Sequence, residues 1–229
     1  SPRPNAYAQV FSASVNVDDL AAGHYSFGGG VSWGDFDNDG DLDVLASGID
    51  DSGSSQLRVY RNNANGTFDP SQIEVDGAGG GVDGGSQWGD FDNDGDLDIL
   101  ASGASSGTTY QLRVYKNNGN GTFDRGEINL DGAGGGLGSN VSWGDFENDG
   151  DLDVLACGVT TANASREIRI YKNNGNGSFD SNQIDVDGAG GGLQGDVKWG
   201  DFDIDGDLDI LAIGYDGSDH QLRIYKNNG

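Results

Sequence analysis

An all-β fold is what this sequence predicts: residues 1–229 form a single domain in which four copies of one unit make the four-stranded antiparallel blades of a β-propeller. Two observations predict it. Tryptophan recurs at Trp33, Trp88, Trp143 and Trp199, at intervals of 55, 55 and 56 residues, and a fixed period of that length marks a propeller or a solenoid. Within each period the apolar residues come in short β-branched runs bounded by Gly, Asn and Asp, which suits strands and is too brief for helices.

Each unit reads as four strands. Strand A carries the tryptophan and covers about residues 31–36, 86–91, 141–146 and 197–202. In the first unit strand B is Leu42 to Ser47, strand C is Gln56 to Arg61 and strand D is Thr67 to Val75. Strand C repeats Leu57-Arg58-Val59-Tyr60-Arg61 at 112–116, 168–172 and 222–226, and alternation sets Leu57 and Val59 on one face, Arg58 and Tyr60 on the other. An arginine that returns in every unit is expected to pair within the scaffold, between units, rather than with a ligand.

Asn-Asn-Ala-Asn-Gly at 62–66, and Asn-Asn-Gly-Asn-Gly at 117–121 and 173–177, join C to D. Asn-Gly favours a hairpin because it tolerates positive φ, which accounts for the pair even where it also spells a glycosylation sequon, as in Asn65-Gly66-Thr67. Glycine-rich links at 76–81, 131–136 and 187–192 lead to the next strand A. They lack the Lys-Ser/Thr and helix of a phosphate loop, so their glycines are expected to let backbones approach closely. The fourth unit stops at Asn227-Asn228-Gly229, before its strand D, while Val15-Asn16-Val17-Asp18 matches Ile73-Glu74-Val75-Asp76. Residues 11–18 are therefore expected to complete the last blade, closing four blades in one chain or an eight-bladed ring across two.

Between A and B the chain writes Asp35-Phe36-Asp37-Asn38-Asp39-Gly40-Asp41-Leu42-Asp43, and then returns to it three times. Acids at alternate positions with glycine at the sixth bring hard oxygen ligands to one point in a tight turn, which is calcium chemistry. The predicted sites are Asp35, Asp37, Asp39, Asp41 and Asp43; Asp90, Asp92, Asp94, Asp96 and Asp98; Asp145, Glu147, Asp149, Asp151 and Asp153; and Asp201, Asp203, Asp205, Asp207 and Asp209. One Ca2+ is expected in each, four per chain, with the seventh position offering its backbone carbonyl and the others their side chains. An EF-hand would need a bidentate Glu at position twelve, where Ala46, Ala101, Ala156 and Ala212 stand instead. Five acids in nine residues repel one another unless a cation neutralises them.

The net charge is −26, but five acids in each of four loops make 20 of the 38 acidic residues, so the charge is local. Such acidity argues against nucleic acid and anionic membranes as partners. Eight of the 12 basic residues fall in the C strands, which leaves no basic patch. No apolar run is long enough to insert in a membrane. Cys157 reads as a small strand residue, half-buried and without a disulfide partner. With no signal pattern at Ser1 and no methionine, the chain is expected to be an excised or processed segment, and weak modular calcium sites place it outside the cell, secreted or on a surface.

Trp-Gly-Asp-Phe-Asp-Asn-Asp-Gly-Asp-Leu-Asp-Val-Leu-Ala, followed by Leu-Arg-Val-Tyr-Arg/Lys-Asn-Asn, resembles the FG-GAP and VCBS repeats, the units of integrin α-chain-like β-propellers. The likeness runs from about Phe11 to Gly229. It implies calcium in the A–B loops and a binding face on the opposite B–C and D–A loops. Two departures are Glu147 at the third ligand position and the first D–A link, Ala22 to Gly28.

The function expected is a non-enzymatic recognition or adhesion module for a protein or glycan ligand, as a monomer or homodimer. A lectin is the alternative, and a polysaccharide-degrading enzyme a third reading. Tyr25, Phe27, Tyr110, Tyr215 and His220 are the ligand candidates, because they break the repeat in or near the binding-face loops.

Overall fold

A computed structural model describes residues 17, 29–50, 52–77, 81–105, 109–124, 128–130, 137–160, 165–188 and 191–229. Every regular element among them is a strand. The first blade is β1 (Val31–Gly34), β2 (Asp43–Ile49), β3 (Ser55–Tyr60) and β4 (Ile73–Glu74); the second is β5 (Ser86–Gly89), β6 (Asp98–Ser105), β7 (Thr109–Tyr115) and β8 (Ile128–Asn129). The third is β9 (Asn140–Gly144), β10 (Asp153–Val159), β11 (Arg166–Tyr171) and β12 (Ile184–Asp185), and the last contains β13 (Gln194–Gly200), β14 (Asp209–Tyr215) and β15 (His220–Tyr225). Strands pair antiparallel in chain order within each sheet, and the inner strands stand side by side, β1 against β5, β5 against β9 and β9 against β13. The chain is thus a four-blade β-propeller. Apart from Val17, the expected closing strand at 11–18 lies outside the described residues.

Three details differ from the sequence reading. Strand D is a two-residue strand in each of three blades, preceded by a single bridge such as Asn62 with Phe68. The reason is local: Asp69 Oδ1 accepts the Ser71 N–H at 2.8 Å, a turn that, with Pro70 lacking an N–H, breaks the ladder between bridge and strand. Strand A ends at the glycine before the acidic loop rather than running into it. In the C–D turns positive φ falls on Ala64, Gly119 and Gly175 and on Gly66, Gly121 and Gly177, not on the asparagine between them. That asparagine makes an Asx turn instead, Asn65 Oδ1 accepting the Thr67 N–H at 3.0 Å.

The cores lie between blades. Phe36, Leu45, Leu57 and Val59 of the first blade pack with Ile99, Ala101, Tyr115 and Phe123 of the second. Phe91, Leu100, Leu112 and Val114 meet Val141, Val154, Ala156 and Tyr171 across the next junction. Leu155, Cys157, Ile168 and Ile170 meet Val197, Ile210 and Ala212 across the third. Each buried Val, Leu, Ile or Phe among them contributes about 1.5–3 kcal/mol by leaving water, so neighbouring blades hold each other folded. Cys157 is wholly buried rather than half-buried, and burial pushes its thiol up to about 11.

One aromatic arrangement marks each junction. Phe36 stacks on Trp88 at 5.9 Å, Phe91 on Trp143 at 6.4 Å and Phe146 on Trp199 at 6.1 Å. Glycine beneath each tryptophan makes the stack possible, since a Cβ on Gly89 would sit 2.6 Å from the Trp143 indole. At two of its positions the repeated arginine spans blades, as expected: Arg113 Nη1 donates to Asp76 Oδ2 at 2.5 Å, and Arg223 Nη1 to Asp187 Oδ2 at 2.8 Å; Arg169 instead pairs with Glu167 and Asp185 of its own blade. Tyr115 and Tyr225 donate to the Asp76 and Asp187 carboxylates as well. Among the described glycines of the links, a Cβ on Gly81 or Gly192 would overlap the peptide of the adjoining strand, Gln56–Leu57 or Glu167–Ile168, whereas one on Gly77 or Gly188 would meet nothing within 4 Å.

Gly89→Ala is expected to force the Trp143 indole aside and destabilise the fold by about 1–3 kcal/mol, as overpacking in a core does. Urea unfolding measures it, and an unchanged midpoint would show that the stack is not tightly packed.

Candidate functional site

Each acidic loop is shaped by its own first carboxylate. Asp35 Oδ1 accepts the Asp39 N–H and Oδ2 the Gly40 N–H, both at 3.0 Å, and Asp90, Asp145 and Asp201 do the same in their loops. The fourth residue then turns through positive φ at Asn38, Asn93, Asn148 and Ile204. Asparagine tolerates that conformation, whereas a β-branched side chain is strained in it.

The ninth residue ties the loop to the blade. Asp43 Oδ2 accepts the Phe36 N–H at 3.2 Å, and its Oδ1 accepts the Asn62 N–H at 2.7 Å. Asp98, Asp153 and Asp209 repeat both bonds. All four are buried. Burial raises the Asp43 carboxyl and pushes Asp98 up to about 7 and Asp153 to about 6.

Oxygen atoms of Asp35, Asp37 and Asp39 lie within 4.8 Å of one another, as do those of Asp90, Asp92 and Asp94 and of Asp201, Asp203 and Asp209. Such groups can hold a metal ion. Asp37 Oδ1 and Asp92 Oδ1 are buried and accept no hydrogen bond, an arrangement that costs free energy unless something fills it. Two all-oxygen sets, each with one orphaned carboxylate atom, fit a hard cation. At the seventh position the side chains of Asp96 and Asp151 accept the Asn38 and Asn93 amides of the preceding loop, at 2.8 and 3.0 Å. Those carboxylates thereby tie each loop to the one before it. In the third loop, where Glu147 is longer by one methylene, no such triplet forms among the described residues.

Two sets of residues at these loops escape the sequence reading. Lys116 Nζ bonds Asp92 and Asp94, Lys226 Nζ bonds Asp203 and Asp205, Lys172 reaches Glu147, and Arg61 Nε lies 2.8 Å from Asp37 Oδ2. These bonds raise the Lys116 ammonium and lower Asp94. The other set is Asn117, Asn173 and Asn227, whose side chains donate to the carbonyls of Phe36, Phe91 and Phe146 in the preceding blade, at 2.8, 2.7 and 3.5 Å. The signal was there: a basic residue stands directly before Asn-Asn in every unit.

At the opposite end of the inner strands, the residues entering β1, β5, β9 and β13 surround a cleft of about 680 Å³. Ser86, Gln87, Asn140, Gln194 and Lys198 give it a polar lining, with Trp88 and Tyr110 as its aromatic members. Of the ligand candidates, Tyr110 lines this cleft. Tyr215 and His220 do not; they face each other across the β14–β15 hairpin with rings 5.4 Å apart, and Arg166 lies over Tyr215. Tyr25 and Phe27 lie outside the described residues.

A pH dependence follows from the buried ninth-position carboxyls. Their ordinary value is 3.8 and the folded one is higher, so the ion-free fold holds protons that the unfolded chain releases. That contribution is complete below about pH 4 and lost as pH rises through 6 to 7. With chelator present, the melting temperature should fall between pH 5 and 8; a rise over that range would contradict the burial of Asp98 and Asp153.

A family model described as FG-GAP-like repeat matches residues 35–101 and 102–156, together more than half of the chain. The comparison with curated proteins finds no match. The first segment runs from the first acidic loop through the second, and the next runs from within β6 through the third acidic loop into β10. The chain belongs to the FG-GAP-like repeat family.

Proposed function

We propose that this propeller is a calcium-stabilised recognition module of a secreted or cell-surface protein, which takes a protein or glycan ligand on the face away from its calcium loops. The observation that carries the reading is the pair of orphaned, buried oxygens, Asp37 Oδ1 and Asp92 Oδ1, in loops made only of oxygen ligands. Among common cations, calcium takes six to eight such ligands and tolerates irregular geometry. Four ions per chain, one for each loop, offset the crowding of carboxylates, and each stabilises the blade that holds it. Lys116, Lys226, Lys172 and Arg61 cover part of that charge when no ion is bound.

The polar groups of the opposite cleft support binding rather than catalysis. Asp83 Oδ1 accepts the Ala104 N–H at 2.6 Å, and Ser86 shares a hydrogen bond with Ser47, so both serve the scaffold. A lectin is the second reading, favoured by one observation: Tyr110 and Trp88 share the cleft with the amide side chains of Gln87, Asn140 and Gln194, a mix suited to sugar faces and hydroxyls. Nucleic acid is a poor ligand for a chain of net charge −26.

Calorimetric titration should count four calcium ions per chain, and calcium should raise the melting temperature. Asp37→Asn with Asp39→Asn should remove one ion and leave three, because each loop draws its ligands from its own nine residues. Fewer than three ions in the unaltered protein at millimolar calcium, or loss of all of them in the variant, would contradict the reading. Glycan and protein arrays probed with and without Tyr110→Ala then separate the two kinds of ligand.

A further inference from the structure

We infer that the outer face of the last blade docks on the outer face of the first blade of a second copy of this chain, so that two chains close one eight-bladed ring. Three junctions inside the chain define what a blade face needs. The giving face presents the loop phenylalanine, a glycine two residues before it and a carbonyl. The receiving face presents a tryptophan, a hairpin phenylalanine and an asparagine amide. Phe36, Trp88 and Phe123 make that cluster at one junction, and Phe91, Trp143 and Phe179 at the next.

The chain carries one unused copy of each face. On the first blade Trp33 meets the ring of Phe68 and no other ring among the described residues, and it is 62% exposed, with Val31 beside it exposed as well. On the last blade Phe202 is 55% exposed, and Leu211, Ile213, Leu222 and Ile224 stand exposed around it. Leu222 and Ile224 hold the places of Ile168 and Ile170, which are buried in the third junction. A Cβ on Gly200 would meet nothing within 4 Å, whereas Gly34, Gly89 and Gly144 each abut the next tryptophan. The polar half matches too: Asn62 Nδ2 donates to its own Leu42 carbonyl, as Asn117 does to Leu97, but among the described residues it lacks the second bond, to a preceding phenylalanine carbonyl. The Phe202 carbonyl is the matching acceptor.

Two faces that complement each other head to tail close a ring or grow a filament. Two chains of four blades close at eight, within the usual size of propellers, and the two-fold axis buries both junctions at once. One contact is altered at this junction. Ile204, 89% exposed, stands where Asn38, Asn93 and Asn148 reach the next loop, so Asp41 of the second copy would receive no amide. The junction between chains is thereby weaker than those within a chain.

Sedimentation and light scattering of the 229-residue chain with calcium should give twice the mass of 23.8 kDa. Gly200→Ala, harmless to a lone chain, should weaken the dimer at least tenfold. Leu222→Arg and Trp33→Ala should each yield folded monomers, with circular dichroism confirming the fold. Mixing those two variants should restore dimers, because one of the two junctions then joins an intact last blade to an intact first blade. A chain that stays at 23.8 kDa up to about 100 μM, its faces covered by its own residues or left bare, overturns the inference. So does a dimer that survives both variants, or a mixture of folded variants that stays monomeric.

Discussion

Each blade is held in register by a buried carboxylate that joins three segments of chain. Asp98 receives the N–H of Phe91 on one oxygen and that of Asn117 on the other, and its own residue begins β6. Those two bonds place the two groups that reach across the junctions. Phe91 is turned toward Trp143 of the next blade, and the Asn117 amide toward the Phe36 carbonyl of the one before. A charge buried this way costs more than two backbone hydrogen bonds return, which is why Asp98 is pushed up to about 7. A divalent cation beside it, as proposed above, would remove that cost and couple the acidic loop to the aromatic junction.

The consequence is a molecule built in one dimension. Blades touch their neighbours, cores form between sheets rather than within them, and stability accumulates junction by junction. Such a fold tolerates variation inside a loop more readily than a bare face. Ile204 shows the first: it keeps the positive φ of its asparagine counterparts despite its branched side chain, at 63°. Trp33 and Phe202 stand exposed on the end blades, where the second applies.

Much of this was legible before any coordinates. The tryptophan period marks the blades because one indole per blade meets the equivalent phenylalanine, and the alternating acids mark the loops because the first and ninth carboxylates hold each turn in shape. The placement of Arg113 and Arg223 between units was also readable, since a charge repeated in strand C needs a partner repeated in the links. The length of strand D was not, because the turn at Asp69 acts through a side-chain oxygen that pattern alone does not weigh. Nor was the link between Lys116 and its loop: the residues are 24 and 22 positions apart, and only the antiparallel return of β7 beside β6 brings them together. The cleft was foreseen as a face but not as a set of residues, for it is assembled from the starts of four separate strands.

Calcium, rather than the strand-C ammonium, is the cation we propose the acidic loops hold. A crystal structure grown with millimolar calcium chloride, with anomalous data collected to identify the ions, tests it most directly. The account predicts an ion among Asp90, Asp92, Asp94, the Asp96 carbonyl and Asp98, with Lys116 moved off the Asp94 carboxylate. Lys116 still bridging Asp92 and Asp94, with no anomalous peak in the loop, would contradict it.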